Sequence, residues 1–287
     1  MRALLTALLA AGLADPALAQ HAGHGAQPPA PAAAASPAPP IAPPPTDALR
    51  HDADAADAVY GAEAMAVARA VLREEHGGLS ASKVLIDQLE IRASDDAEGY
   101  DWDGQAWYGG DIHKLWLKTE GEGGFESGLE RGEVQALWSR AVDPWFDLQI
   151  GVRQDFGHGP DRTHLAVGLQ GLAPYWFEVD GALFLSTEGE LTARFEAEYD
   201  LRITQRLILQ PLAEVDVSAQ DVPELETGAG LTSVELGLRL RYEIRPEFSP
   251  YVGIQYERAF GGTADYRRTA GDDVGGWSVL AGIRTWF

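Results

Sequence analysis

Residues 191–203, LTARFEAEYDLRI, alternate without a break. The odd positions are apolar: Leu191, Ala193, Phe195, Ala197, Tyr199, Leu201 and Ile203. The even positions are polar or charged: Thr192, Arg194, Glu196, Glu198, Asp200 and Arg202. Successive side chains of a strand point to opposite faces, so the segment reads as a strand with one greasy and one charged face. It is too long and too charged for an ordinary sandwich strand. A strand tilted across a bilayer needs about 9–11 residues, with lipid on one side and a polar lumen on the other.

The same alternation recurs along the chain and predicts strands at 84–93, 100–108, 113–120, 129–141, 145–155, 163–171, 176–186, 191–203, 207–218, 231–244, 251–260 and 277–287. In the first of these Leu85, Leu89 and Ile91 share the apolar face and Asp87 breaks the pattern. The even number of strands, twelve, lets a chain begin and end on one side of a membrane, as bacterial outer-membrane barrels do. The expected fold is therefore all-β, an antiparallel transmembrane β-barrel. Short connections are expected after Ala141, Gly171, Ile203 and Ile244, and longer ones after Asp155, Ser218 and Phe260. Residues 121–128 read as a glycine-rich turn. Pro211 and Pro250 donate nothing to a ladder, so bulges or strand ends are expected there. Trp102, Tyr108, Trp138, Trp145, Tyr175, Trp176, Tyr242, Tyr251 and Trp286 are candidates for the interfacial girdles, and Arg258, on the lipid parity, belongs near the headgroups. The last strand ends on the aromatic Phe287.

Ahead of the barrel, residues 1–19 read as a signal peptide, with Arg2, an apolar run and a small-x-small site at Ala17–Ala19. Residues 20–56 form an Ala/Pro-rich tail, an extended tether without a core. Residues 57–78 read as a helix carrying Met65, Val67, Val71 and Leu72 on one side and ending at His76-Gly77-Gly78. Such a helix suits either the barrel mouth or a simple spacer.

Acidic residues outnumber basic ones by 44 to 22, and cysteine is absent. The first fact disfavours nucleic acid and favours cations or basic partners. The second excludes disulfides, thiolate metal sites and cysteine nucleophiles. Strand parity sends Glu90, Arg92, Asp101, Asp103, Glu133, Asp147, Arg153, Glu178, Asp180, Arg194, Glu196, Glu198, Asp200, Arg202, Glu214, Asp216, Glu235, Arg239, Arg241 and Glu243 inward. Most of these charges are expected to pair, yet the acids exceed the arginines, leaving carboxylates for a cation. No nucleophile–base–orienter set marks a hydrolase. His113, His158 and His164 have no diagnostic metal spacing.

Five stretches carry a family resemblance: DQLE (87–90), GGDIHKLWLKTEGEG (109–123), GLQGLAPYWFEVD (168–180), EAEYDLRITQRLILQP (196–211) and LRLRYEIRPEFSPYVGIQYERAFGGTADY (238–266). Over residues 64–287 the chain resembles the copper resistance protein B family of outer-membrane proteins. The resemblance implies a barrel in the bacterial outer membrane, with its N-terminal tail in the periplasm. It implies binding or export of copper ions alongside a periplasmic multicopper oxidase. The tail of that family is usually rich in Met and His, whereas this one offers His21, His24 and His51. On this reading His21 and His24 capture copper weakly. Met65, His113, His164 and the lumen carboxylates, Glu196 and Glu198 among them, serve its passage. The alternative is a narrow, non-selective cation pore, for which the same acidic lumen suffices.

Overall fold

The structure, a computed structural model, describes residues 55–76, 79–94 and 98–287. The expected signal peptide, the tail with His21, His24 and His51, and Gly77-Gly78 lie outside the described residues. The chain divides into residues 1–65 and residues 66–287. Ahead of the barrel the expected single helix is two, α1 (Asp57–Tyr60) and α2 (Ala62–His76). Gly61 separates them at φ 86°, a conformation open to glycine and closed to helix.

The barrel comprises β1 (Ala81–Ala93), β2 (Glu98–Gly109), β3 (His113–Gly124), β4 (Gly128–Ala141), β5 (Phe146–Gly157), β6 (Arg162–Ala173), β7 (Phe177–Ser186), β8 (Leu191–Glu198), β9 (Leu201–Arg202), β10 (Leu207–Ser218), β11 (Gly230–Tyr242), β12 (Phe248–Ala259) and β13 (Gly275–Trp286). A third helix, α3 (Gly261–Ala270), lies between the last two. β8 and β9 are two pieces of one strand, so twelve strands cross, each antiparallel to its neighbours. β1 pairs with β13 and closes the sheet. At that seam the backbones of Val84 and Phe287 exchange two hydrogen bonds, at 3.0 and 2.9 Å. One rim, here the terminal rim, carries the start of β1 and Phe287. The opposite loop rim carries residues 219–229 and α3.

Burial is inverted relative to a water-soluble domain. Leu89, Leu117, Val152, Leu183, Leu236 and Val279 are exposed on the outside, while Glu90, Glu133, Gln149, Arg239 and Arg241 are buried within. An apolar outer band around a polar interior is the signature of a membrane-spanning barrel. Aromatic side chains gather towards both rims. Trp145 meets Trp176 edge-on at 5.9 Å near the terminal rim, and Tyr256 packs on Trp277 at 5.0 Å near the loop rim.

Five departures from the sequence reading have local causes. Asp87 is not a flaw in a regular strand but the extra residue of a β-bulge, where both β1 registers shift. The bulge turns Leu85 inward, 8% exposed, and leaves Val84 on the outer face. The strand over 191–203 is interrupted at Tyr199-Asp200, opposite Pro211 on β10, which has no N–H to give. The pairs on either side, Glu198 with Leu212 and Leu201 with Leu209, keep one register, so hydrogen bonds are lost without slippage. Gly121, Gly123 and Gly124 stay within β3 rather than forming a turn. Trp102 lies against Gly121, and Tyr100 against Gly123, where any Cβ would collide with the ring. The connection after β5 is short, residues 158–161, because Gly157 and Gly159 take positive φ values of 138° and 96°. Tyr251 belongs to no girdle: Val252 and Ile254 hold the lipid face, and Tyr251 points inward at 6% exposure. Pro250 sits just beyond the last β11–β12 pair, Arg241 with Tyr251, so its missing donor interrupts nothing. Arg258 is exposed near the end of β12, with its guanidinium 5.8 Å from the Phe260 ring.

The tightest strand contact falls at Gly151, where a Cβ would stand 2.0 Å from the Ala136 carbonyl oxygen and 2.8 Å from the Leu137 Cα. Backbone cannot swing aside as a side chain can. Gly151→Ala is expected to destabilise the folded barrel by about 1–3 kcal/mol, the usual range for overpacking. The urea midpoint of the refolded protein measures this, and an unchanged midpoint would contradict the close β4–β5 approach.

Candidate functional site

Two cavities meet in the interior. The larger, about 740 Å³, runs from the terminal-rim turns at Asp111 and Asp143 to Glu196 at mid-height. The smaller, about 60 Å³, lies beyond it and is walled by Glu90, Asp101, Glu122, Glu214 and Glu235. Asp103, Glu120 and Glu196 line both, so they mark where the two meet.

Register explains why so many acids face one another. Asp180 pairs with Glu196, Glu196 with Glu214, Glu214 with Glu235, and Glu235 with Glu257. Five inward carboxylates therefore stand side by side on β7, β8, β10, β11 and β12. A second row on β2 to β5 joins Asp103, Glu120, Glu133 and Asp155. Like charges directly opposite on adjacent strands repel, so each row requires cations.

The chain supplies some of them. Arg153 binds Glu133 at 2.8 Å and Asp155 at 2.6 Å. Lys118 pairs with Asp180, and Arg267 of α3 reaches Glu257 at 2.8 Å. Arg194 serves four acids, Glu120, Glu133, Glu214 and Asp216. Glu196 and Glu235 have no cationic side chain within 4.0 Å among the described residues.

The wall of β11, β13 and β1 differs. There Arg239, 2% exposed, donates to both oxygens of Glu90 at 2.5 and 3.3 Å and to Gln88 at 2.9 Å. Arg241 donates to Asp200 at 2.5 Å and to Gln210 at 3.1 Å, and Arg284 pairs with Asp87 at 2.5 Å. Each of these arginines has an acid, so these pairs are structural, and Glu235 on the same β11 belongs to the unmatched row.

The expected site residues do not converge. Met65 lies on α2. His113 stacks on Trp138 at 5.5 Å on the outer face, on the opposite side of the strand from Lys114. His164 faces inward at 5% exposure, with its Nδ1 3.7 Å from an Asp155 oxygen and without a hydrogen-bond partner. Glu196 joins the two cavities. Glu198 accepts a hydrogen bond from Gln210 at 2.5 Å and stands opposite Glu178. Among the described residues no group of three or more His, Asp or Glu side chains is arranged to hold a metal ion. Of the expected interior charges, Arg202 and Glu243 pair at the terminal rim instead, at 3.1 Å. Glu120, Glu122, Lys118 and Arg284 were missing from the sequence-derived interior. Extending the alternation of 113–120 by two residues finds Glu122, and the polar parity already contained Lys118 and Glu120.

The two kinds of ion pair should differ in worth. Glu90→Ala leaves Arg239 buried without its acid and is expected to cost about 3–5 kcal/mol. Arg202→Ala breaks an exposed rim pair and is expected to cost less than about 1 kcal/mol. Urea unfolding followed by tryptophan fluorescence compares them, and equal midpoints would refute the structural role of the arginine wall.

Residues 80–287 match the family described as copper resistance protein B precursor. A copper resistance protein B of Escherichia coli is 47% identical over 204 residues, covering 71% of this chain and 69% of that protein. A copper resistance protein B homolog of Pseudomonas syringae pv. tomato (strain ATCC BAA-871 / DC3000) is 40% identical over 298 residues, covering 99% and 95%. Among solved structures the NanC porin aligns with a TM-score of 0.47 at 14% identity, covering 71% of this chain and 99% of that one. The KdgM porin aligns at 0.41 and 10%, again covering 71% and 99%.

Proposed function

We propose a function on one premise: the chain belongs to the copper resistance protein B family. The family gives the role, copper resistance. We infer that the barrel fulfils it in the outer membrane by taking copper ions from the periplasm through its acidic interior. The terminal rim and the N-terminal tail then face the periplasm. A periplasmic multicopper oxidase is the partner this reading implies.

The observation that carries the reading is the row Asp180, Glu196, Glu214, Glu235 and Glu257. It begins in the larger cavity and continues along the smaller one, past the point where the two meet. Neighbouring strands are about 4.8 Å apart, so each carboxylate hands a cation to the next without a long gap. Rings and rows of acidic side chains select cations in this way. The anionic groups lining the cavities are carboxylates, and no imidazole, thiolate or thioether lines them among the described residues. Such a set suits Cu(II) better than Cu(I). On this reading His21 and His24 are weak capture groups on the tail, with Met65 following them. Glu196 and Glu198 receive the ion at the base of the larger cavity. His113, on the outer face, takes no part.

A second reading, a narrow non-selective cation pore, draws on the lack of a metal-binding group among the described residues. Deleting the gene is expected to lower copper tolerance. Complementation with the Glu196→Gln, Glu235→Gln double variant is expected to restore tolerance only in part. Full tolerance in the deleted strain would overturn the copper reading. Equal permeability to Na⁺ and Cu²⁺ in a planar bilayer would favour the generic pore.

A further inference from the structure

The cations that face the carboxylate rows do not all come from neighbouring strands. Arg194 projects from β8, and its Nε lies 3.2 Å from Asp216 and 3.5 Å from Glu214 on adjacent β10. Its Nη1 and Nη2 reach Glu120 on β3 at 2.5 Å and Glu133 on β4 at 3.3 Å. β5, β6 and β7 intervene between β4 and β8 in the barrel order, so this side chain spans the interior. A second span runs the other way: Lys118 on β3 binds Asp180 on β7. Lys118 and Glu120 are consecutive inward residues of one strand. They are answered across the lumen by Asp180 and Arg194, on two adjacent strands. The two struts have opposite polarity. They stand where the cavities meet, since Lys118, Glu120 and Arg194 line the larger one and Glu120 continues into the smaller.

We propose that Arg194 and Lys118 are the specificity-determining residues of the interior, two tethered cations that close the lumen at mid-height by occupying the places a passing cation needs. Arg194 is suited to this because a planar guanidinium presents five N–H donors in a fixed fork and stays charged. It holds acids from both walls at once, which an ammonium cannot do with the same geometry. A mobile cation passes by exchanging with these groups for the carboxylates of Glu120, Glu214 and Asp180. Anions meet the surplus acids on either side of the struts and are turned back. The inference deepens the proposed passage and rests on the interior being a route, but not on copper being the ion.

The test is the conductance and reversal potential of the refolded full-length barrel in planar bilayers under a KCl gradient, with folding checked by heat-modifiable gel mobility. Arg194→Gln and Lys118→Gln are expected each to raise K⁺ conductance about threefold or more and to shift the reversal potential towards greater cation preference. Arg194→Lys, which keeps the charge but loses the fork, is expected to raise conductance while leaving the reversal potential near that of the parent. A merely structural role for Arg194 would not separate the two readouts in this way. Parent-like conductance and reversal potential in both Gln variants would overturn the proposal. If Arg194→Gln fails to fold, Lys118→Gln alone decides it, because the two struts are independent side chains. Copper tolerance of the deleted strain reports on the other reading. A strain with unchanged tolerance and a leaky Arg194→Gln barrel would sink copper passage and leave the constriction standing.

Discussion

The structure depends on the closure of a hydrogen-bonded ring. In hydrocarbon an unpaired N–H or C=O costs several kcal/mol, so a strand crosses a membrane only if both its edges are covered. The β1–β13 seam meets that requirement, and the Val84–Phe287 pair carries it to the last residue of the chain. Closure also fixes which way every side chain faces. Once the ring shuts, alternate residues have lipid on one side and a confined interior on the other, and Asp87 changes face only by adding a residue.

Confinement turns a surface property into a packing problem. A net charge of −22 on a soluble protein is spread over water, but here much of it points into a barrel of twelve strands. The interior resolves this unevenly. Arg239 and Arg241 on β11 and Arg284 on β13 are matched to Glu90, Asp200 and Asp87. Along the facing rows Arg194 answers four acids, and Glu196 and Glu235 are answered by none of the described side chains. The matched pairs resemble a structural core built from ions, and Glu196 and Glu235 stand outside it.

The sequence makes the strands legible because a period of two is a local signal, carried over 10–14 residues in every strand but the interrupted β8–β9. It does so less well where tertiary neighbours override local composition. The glycines of β3 look like a turn until Trp102 and Tyr100 are seen to lie across them. The break at Tyr199-Asp200 is caused by a proline on the next strand, eleven residues from Asp200 in sequence. The interior charges are legible as a set, since parity alone assigns them, but not as pairs. Lys118 meets Asp180 across 62 residues of sequence, and Arg194 meets Glu120 across 74. Register determines these distances, and register follows from bulges and turns rather than from alternation. The histidines follow parity: His113 shares the apolar side of its strand and faces out, and His164 shares the polar side and faces in.

The passage proposed for this barrel sets a condition on how tightly its interior holds an ion. A conduit must bind its ion well enough to draw it in and weakly enough to release it, a condition met by several modest sites and not by one tight one. Carboxylates placed one strand apart, with Asp180, Glu214 and Glu257 committed to tethered cations and Glu196 and Glu235 between them not, form such a series. On the passage proposed above, an entering ion displaces a guanidinium or ammonium from one oxygen set while the next set waits. Binding at each step is then a difference between two ion–carboxylate interactions of similar strength, and it stays small although each interaction alone is large. An acid-rich barrel with its own arginine and lysine at the midpoint is thus better adapted to exchange than an acid-rich barrel left empty.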